Sequence, residues 1–400
     1  MNKKLLAVAV AGALAAPAVA FAQASNVTIG GRAVLGLDNY QANGATAGSA
    51  ADYKSRNRVY DSSSRLIIQG TEDLGNGLTA YFYNESGANM DTGGVNGQAN
   101  TANTNSGVLA SRNAWVGLRG GWGALQFGKP NVFWGNGAIF QNAAASWAPT
   151  ELPMLTGTLG RGMSVGVTRQ PNTMSYITPV LGGVTTTVHY STNGNSSLTA
   201  VSGQEAQPAG ANSDGHLWGV TANGLWGAWN AQFDWVKGWA NTPAAGSRGS
   251  TDAWKSSVQY TYQPGAGVRA FILRAHQQDG GSGAAPGAFA ALGSSLTQNA
   301  WAIGWDHTFG NIQPMVQWGK VNNISGCTLS ANCDNTNATS WQVAVRYILS
   351  KRTWLSAHYS STSNAANYNL DYNGASMTSA AALNNGSDPR MVGVGIAHTF

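Results

Sequence analysis

The 400 residues carry a net charge of +5, and only 10% of them are charged, beside 52 glycines, 15 tryptophans and 13 tyrosines. Soluble domains average about a quarter charged residues, so an ordinary soluble domain is disfavoured. The weak, scattered basic residues leave no nucleic-acid footprint. Beyond the first twenty-two residues no run of eighteen apolar residues offers a membrane-spanning helix.

In chain order, Lys3 and Lys4 precede an apolar, Ala-rich stretch from Leu5 to Val19, and Ala20-Phe21-Ala22 has the small-x-small form of a leader cleavage site. Residues 1–22 are therefore expected to be a signal peptide and 23–400 a single β domain. Cleavage lowers Lys plus Arg from 22 to 20 against 17 acids, a mature charge of +3.

Period-two alternation then recurs to the last residue. Val27, Ile29, Ala33, Leu35 and Leu37 share one face, with Arg32 and Asp38 on the other. Leu225, Trp229, Phe233 and Trp235 oppose Asn230, Gln232 and Asp234; Trp301, Ile303 and Trp305 oppose Asp306; Trp341, Val343, Val345 and Tyr347 oppose Gln342 and Arg346. The polar face is mostly Gly, Ser, Thr, Gln and Asn, which suits a wet lumen. Seven short turns are predicted, at 74–77, 120–123, 179–183, 223–224, 264–267, 310–311 and 350–352. Long polar connectors are predicted between them, including 39–63, 88–109, 191–215 and 364–389. Seven hairpins plus a first and a last strand make sixteen antiparallel strands, and alternating short turns with long loops is the pattern of an outer-membrane barrel. Val392, Val394, Ile396 and Phe400 place the last strand's apolar face outward, so it is expected to pair with the first strand and close the sheet. Cys327 and Cys333 are the two cysteines. Six residues apart in one long loop of an oxidising compartment, they are expected to form a disulfide rather than a metal site.

Ser64-Arg65 through Glu72-Asp73-Leu74-Gly75-Asn76-Gly77-Leu78 resembles the first hairpin of the neisserial and burkholderial trimeric porins. Arg112 to Leu118 with Gly123 to Lys129 resembles that family's next hairpin, Tyr347 to Thr353 a late turn, and His398-Thr399-Phe400 the family terminus. The resemblance implies a homotrimer of transmembrane barrels in outer-membrane lipid and lipopolysaccharide, with short periplasmic turns, long extracellular loops and a third loop folded inward as a constriction. It implies passive diffusion of small hydrophilic solutes through a water-filled channel, with no cofactor. The third loop departs from the family: between Lys129 and Arg161 it holds one acid, Glu151, where acids are usual. Gln69 and Ser175 stand at places often basic.

A pore selects by radius and by charge at its narrowest point. Lumen parity selects Arg32, Arg65, Lys255 and Arg346, and Lys129, Arg161 and Arg169 flank the third loop. Arg32, Arg65, Lys129, Glu151, Arg161, Arg169 and Arg346 are the expected pore residues, and the excess of cations predicts a preference for anions. Arg112 shares parity with Ala114, Val116 and Leu118, which points it away from the lumen unless a bulge intervenes. Asp38, Glu85, Asp234 and Asp306 have lumen parity and are candidate partners for the cations, Glu85 above all. The six histidines fall in no catalytic or metal pattern, so no enzyme is expected. Two other functions share this barrel: a substrate-specific channel, with Phe133, Trp134, Phe140 and Trp147 as a stacking slide, and a surface adhesin or phage receptor acting through the long loops.

Overall fold

The computed structural model describes residues 26–88, 90–91, 109–133, 152–156, 159, 169–192, 216–239, 250–278, 295–372 and 383–400. The predicted leader, Glu151, Arg161, Trp134, Phe140 and Trp147 lie outside the described residues.

One antiparallel sheet closes on itself. Its first part comprises β1 (Asn26–Asn43), β2 (Tyr53–Asp61), β3 (Arg65–Gly75), β4 (Leu78–Gly87), β5 (Ala114–Gly120), β6 (Gly123–Lys129), β7 (Thr173–Ile177) and β8 (Val184–Ser191). Then come β9 (Leu217–Trp226), β10 (Trp229–Trp239), β11 (Ser250–Gln263), β12 (Ala266–Gln278) and β13 (Ser295–His307). The wall ends with β14 (Ile312–Val321), β15 (Ala338–Ile348), β16 (Thr353–Asn364) and β17 (Asp388–Thr399). β1 pairs with β2 through Leu35–Ala42 and with β3 through Asn26–Arg32. Thus β2 and β3 are one wall strand interrupted at Ser62–Ser64, and the barrel has sixteen strands. Closure runs from Arg32↔Thr399 to Asn43↔Asp388, and Gly31 and Phe400 exchange backbone hydrogen bonds of 3.0 and 3.1 Å. Closure leaves no unpaired edge in the wall.

Outward positions are apolar: Val27, Ile29, Leu37, Val116, Phe127, Phe233, Ile272, Ile303, Val394 and Ile396 are all exposed. Stacked aromatics collect toward the short-turn end, where Trp122 meets Tyr176 at 6.3 Å and His307 meets Phe309 at 4.1 Å. Toward the long-loop end Trp218 lies 4.7 Å from Tyr190 and Trp239 4.5 Å from His216. Two such belts match the two interfaces of a bilayer.

Two local expectations fail. The stretch 39–63 is largely strand, with β1 running on to Asn43 and β2 starting at Tyr53. Beyond the outward Val59, which pairs with Leu37, Asn39 bonds Ser55 and Asn57, so the apolar alternation that marks the lower wall is missing there. The turn expected at Asn223-Gly224 instead falls at Gly227-Ala228, with Gly227 at φ +59°. Gly224 stays in β9 because the Trp226 indole covers it: a Cβ there would meet the ring at 2.1 Å. Cross-strand pairing of Asn223 with Gln232 and Gly224 with Ala231 outweighs the local turn signal.

Cys327 and Cys333 are bonded, S–S 2.00 Å, in the loop between β14 and β15. Ile324 of that loop and Tyr368 and Leu370 of the last loop join an apolar core inside the barrel, and the cystine packs against it. Intact mass after alkylation without reductant is expected to show no label, whereas two labelled thiols would contradict the bond.

Candidate functional site

The interruption at Ser62–Ser64 builds the most charged part of the inner wall. The Ser62 N–H donates to Val34 O at 2.9 Å and the Ser64 N–H to Asp61 Oδ1 at 2.9 Å, while Ser64 Oγ accepts the Val34 N–H at 2.9 Å. Ser63 is thereby held at φ +62°, a conformation a non-glycine residue keeps only where its surroundings enforce it. Its carbonyl accepts Arg32 Nε at 3.0 Å and Arg65 Nε at 3.2 Å. A break in the ladder re-aims side chains, and here it draws two arginines to one oxygen.

Arg65 Nη1 then reaches Glu85 Oε1 at 2.5 Å. Glu85, on β4, has a side chain with no solvent exposure, and it also binds Arg112 Nε at 2.6 Å and Asn113 Nδ2 at 2.9 Å. Arg112 thus shares the side of Glu85, the arrangement that strand parity allowed only with a bulge. The residue precedes β5 and is not pleated: its own N–H donates to Glu85 O at 3.0 Å, and the Glu85 N–H donates to Asn113 O at 2.8 Å. Lys129, the last residue of β6, donates to Ser111 O at 3.2 Å, and Arg169 bridges to Asn131. Both lie within electrostatic reach of Arg112. Among the described residues Arg32, Arg65, Arg112, Lys129 and Arg169 gather about one acid, Glu85; Asp61, at the same interruption, has its carboxylate on the Ser64 and Met90 N–H groups. Tyr83 stacks on Trp115 beside this cluster, centroids 4.6 Å apart.

Arg346 lies elsewhere. On β15, toward the short-turn end of another part of the wall, it donates to Gln313, which donates to Asp306 at 2.8 Å. Asp306 also binds Arg269, a lumen cation the sequence reading passed over. Asp38 is gripped by Arg58 through Nε and Nη2 at 2.9 and 2.8 Å, another cation the reading missed because it sat in a presumed loop. Asp234 faces Lys255 at 3.8 Å. Each of the four candidate lumen acids has a cationic partner, as burial of a carboxylate in a wall requires. Ser175 hydrogen-bonds His189 Nδ1 at 2.8 Å, with no carboxylate among the described contacts of that pair. Phe133 is fully buried and packs against the wall rather than presenting a stacking face.

Residues 7–367 match the family model described as Gram-negative porin. The chain belongs to that family. Among curated porins it is 29% identical over 198 residues to a major outer membrane protein P.IB of Neisseria gonorrhoeae, covering 49% of this chain and 50% of the relative. It is 31% identical over 211 residues to an outer membrane porin protein of Bordetella pertussis, covering 49% of each. The matched part is thus at most about half of these curated relatives, and about a third of a further P.IB protein. Among solved structures, the anion-selective porin from Comamonas acidovorans superposes with a TM-score of 0.70 over 94% of this chain and 100% of that one, at 21% identity. OmpT of Vibrio cholerae gives 0.61 over 96% and 100%, at 11% identity. At these identities the likeness is one of fold. Family and barrel together place this porin in the Gram-negative outer membrane.

Proposed function

We propose that the barrel is a water-filled channel for passive diffusion of small hydrophilic solutes, with a preference for anions. The observation that carries the preference is the cluster on β1, β3, β4 and the flanks of the third loop: among the described residues five cations gather about one carboxylate, Glu85, whose side chain is wholly covered. A passing anion meets guanidinium and ammonium groups, while Glu85 is hidden behind two of them. Arg32, Arg65, Lys129 and Arg169 are assigned to this constriction together with Arg112. Arg346 belongs to a separate group with Arg269 and Asp306, and Glu151 and Arg161 remain assigned by sequence alone. The test is the reversal potential of single channels across a tenfold KCl gradient. A chloride-selective sign is expected, and a potassium-selective sign refutes the preference.

We also infer a homotrimer. β5, β6 and β7 have only seven, seven and five residues, fewer than the roughly 9–11 that a tilted strand needs to span the hydrocarbon. Their outward side chains, Val116, Leu118, Phe127, Met174 and Tyr176, are apolar and exposed. A wall this low and this apolar needs cover from copies of the same chain. Unheated protein in mild SDS is expected to migrate as an oligomer that boiling dissociates. Monomer mobility before and after boiling, in protein taken from native membranes, overturns the inference.

A further inference from the structure

The described parts of the third loop, 130–133, 152–156 and 159, include side chains packed on one wall. Val132, Phe133, Leu152, Met154, Leu155 and Leu159 are buried, and they share an apolar core with inward side chains of β9 to β15. The wall is shaped to receive them. A Cβ at Gly219 would stand 2.4 Å from Val132 Cγ1, and one at Gly319 would stand 3.2 Å from Met154 Sδ. Apolar packing is non-directional: it holds the loop on the wall but fixes its register poorly.

Among the described residues polar contacts add fixed points: the Val132 carbonyl lies 3.5 Å from Thr221 Oγ1, and the next carbonyl along has a charged donor. Thr221, Asp234 and Lys255 are cross-strand neighbours in a single row on β9, β10 and β11. Thr221 Oγ1 donates to Asp234 Oδ1 at 2.7 Å and Gln232 Nε2 to Asp234 Oδ2 at 2.7 Å. The carboxylate so held stands 3.8 Å behind the Lys255 ammonium. In front, Lys255 Nζ donates to the Phe133 carbonyl and lies 4.5 Å from the centroid of the Phe133 ring. We propose that Lys255 is a positioning residue for permeation, clasping the third loop at Phe133 and so setting the free cross-section of the pore. Phe133 follows Lys129 by four residues, so the clasp also fixes the stem that carries one of the constriction cations. Lys255 is buried and faces Asp234, so its charge adds little to the field on a passing ion. Its role is mechanical, separate from that of Arg65.

The inference rests on the channel reading, and single-channel recording separates the two. Lys255→Met and Lys255→Met/Asp234→Asn are compared with the unaltered protein. Loss of a hydrogen bond from a charged donor is expected to make excursions of the loop roughly tenfold more frequent. They are read as raised open-channel noise and closure at lower voltage, with the KCl reversal potential keeping its sign. If Lys255 served only the stability of the wall, the double variant, which leaves no unpaired charge behind, would return to the unaltered currents. That result overturns the clasp. Should the single variant fail to assemble, the double variant carries the test. Gly219→Ala keeps every charge and pushes on Val132 from the wall, so it is expected to raise noise in the same way. Unaltered noise there, together with a quiet double variant, refutes the proposal. An unaltered protein that passes no current refutes the channel reading itself.

Discussion

Arg65→Gln is expected to lower the chloride preference several-fold while leaving the barrel assembled. The guanidinium touches both ends of the cluster, donating to Ser63 O and to Glu85 Oε1. Removing it changes five cations against one acid to four against one. It also uncovers one side of Glu85, which stays bound to Arg112 and Asn113. A unit charge about 8 Å from the ion path contributes roughly 0.5 kcal/mol at the dielectric of water and about 2 at an effective value near 20. Such a change acts with opposite sign on chloride and potassium, so a three- to tenfold drop in the permeability ratio is the expected range, of order 1 kcal/mol. The effect is expected to shrink as KCl rises, because the Debye length falls from about 10 Å at 0.1 M to about 3 Å at 1 M. Arg346→Gln is the internal comparison. It lies toward the short-turn end, bonded to the neutral Gln313 and away from the Glu85 cluster, so a smaller change is expected. An unchanged reversal potential in Arg65→Gln removes that residue from the constriction.

Much of the barrel is written in the outward face of the chain, because a lipid-facing side chain must be apolar at every second position whatever lies inside. The failures fall where that requirement lapses. β2 rises past the apolar band beyond Val59, where Ser55 and Asn57 bond Asn39, and Arg58 was lost with it. Arg112 sits before β5, where a bulge breaks the parity, and the backbone bonds of Glu85 to Arg112 and to Asn113 that make it join residues 27 and 28 apart. β12 is informative in a different way. Over its middle, outward Val268 and Ile272 are matched by inward Phe271, Leu273 and Ala275, with Arg269 and Gln277 the inward polar residues to either side. A strand apolar on both faces is out of place in a wet barrel, unless something apolar rests on its inner side. The third loop does so, which makes the loss of alternation in β12 a sequence signal for where the loop lies. The clasp at Lys255 had no comparable signal, since parity put it in the lumen without showing that the loop backbone covers it.

Glu85→Gln is expected to give a porin that is less stable and more anion-selective. The carboxylate is the common acceptor for Arg65, Arg112 and Asn113, and its side chain is wholly buried. An amide of the same size offers one acceptor oxygen in place of two, and its NH2 group turns a donor toward groups that also donate. Two guanidinium groups are then left close together with no countercharge. Breaking a buried ion pair by removing one partner costs about 3–5 kcal/mol. The wet lumen on one side lowers that figure, because water and chloride can reach Arg65. The temperature at which the folded form converts to the unfolded mobility in SDS is therefore expected to fall clearly below that of the unaltered protein. Selectivity should move the other way, since five cations would then face no acid in the described cluster. The two readouts bear on separate claims. An unchanged conversion temperature means that Glu85 does not hold the arginines. A fall in temperature without a gain in chloride preference means that they are held by Glu85 but do not line the path of the ion.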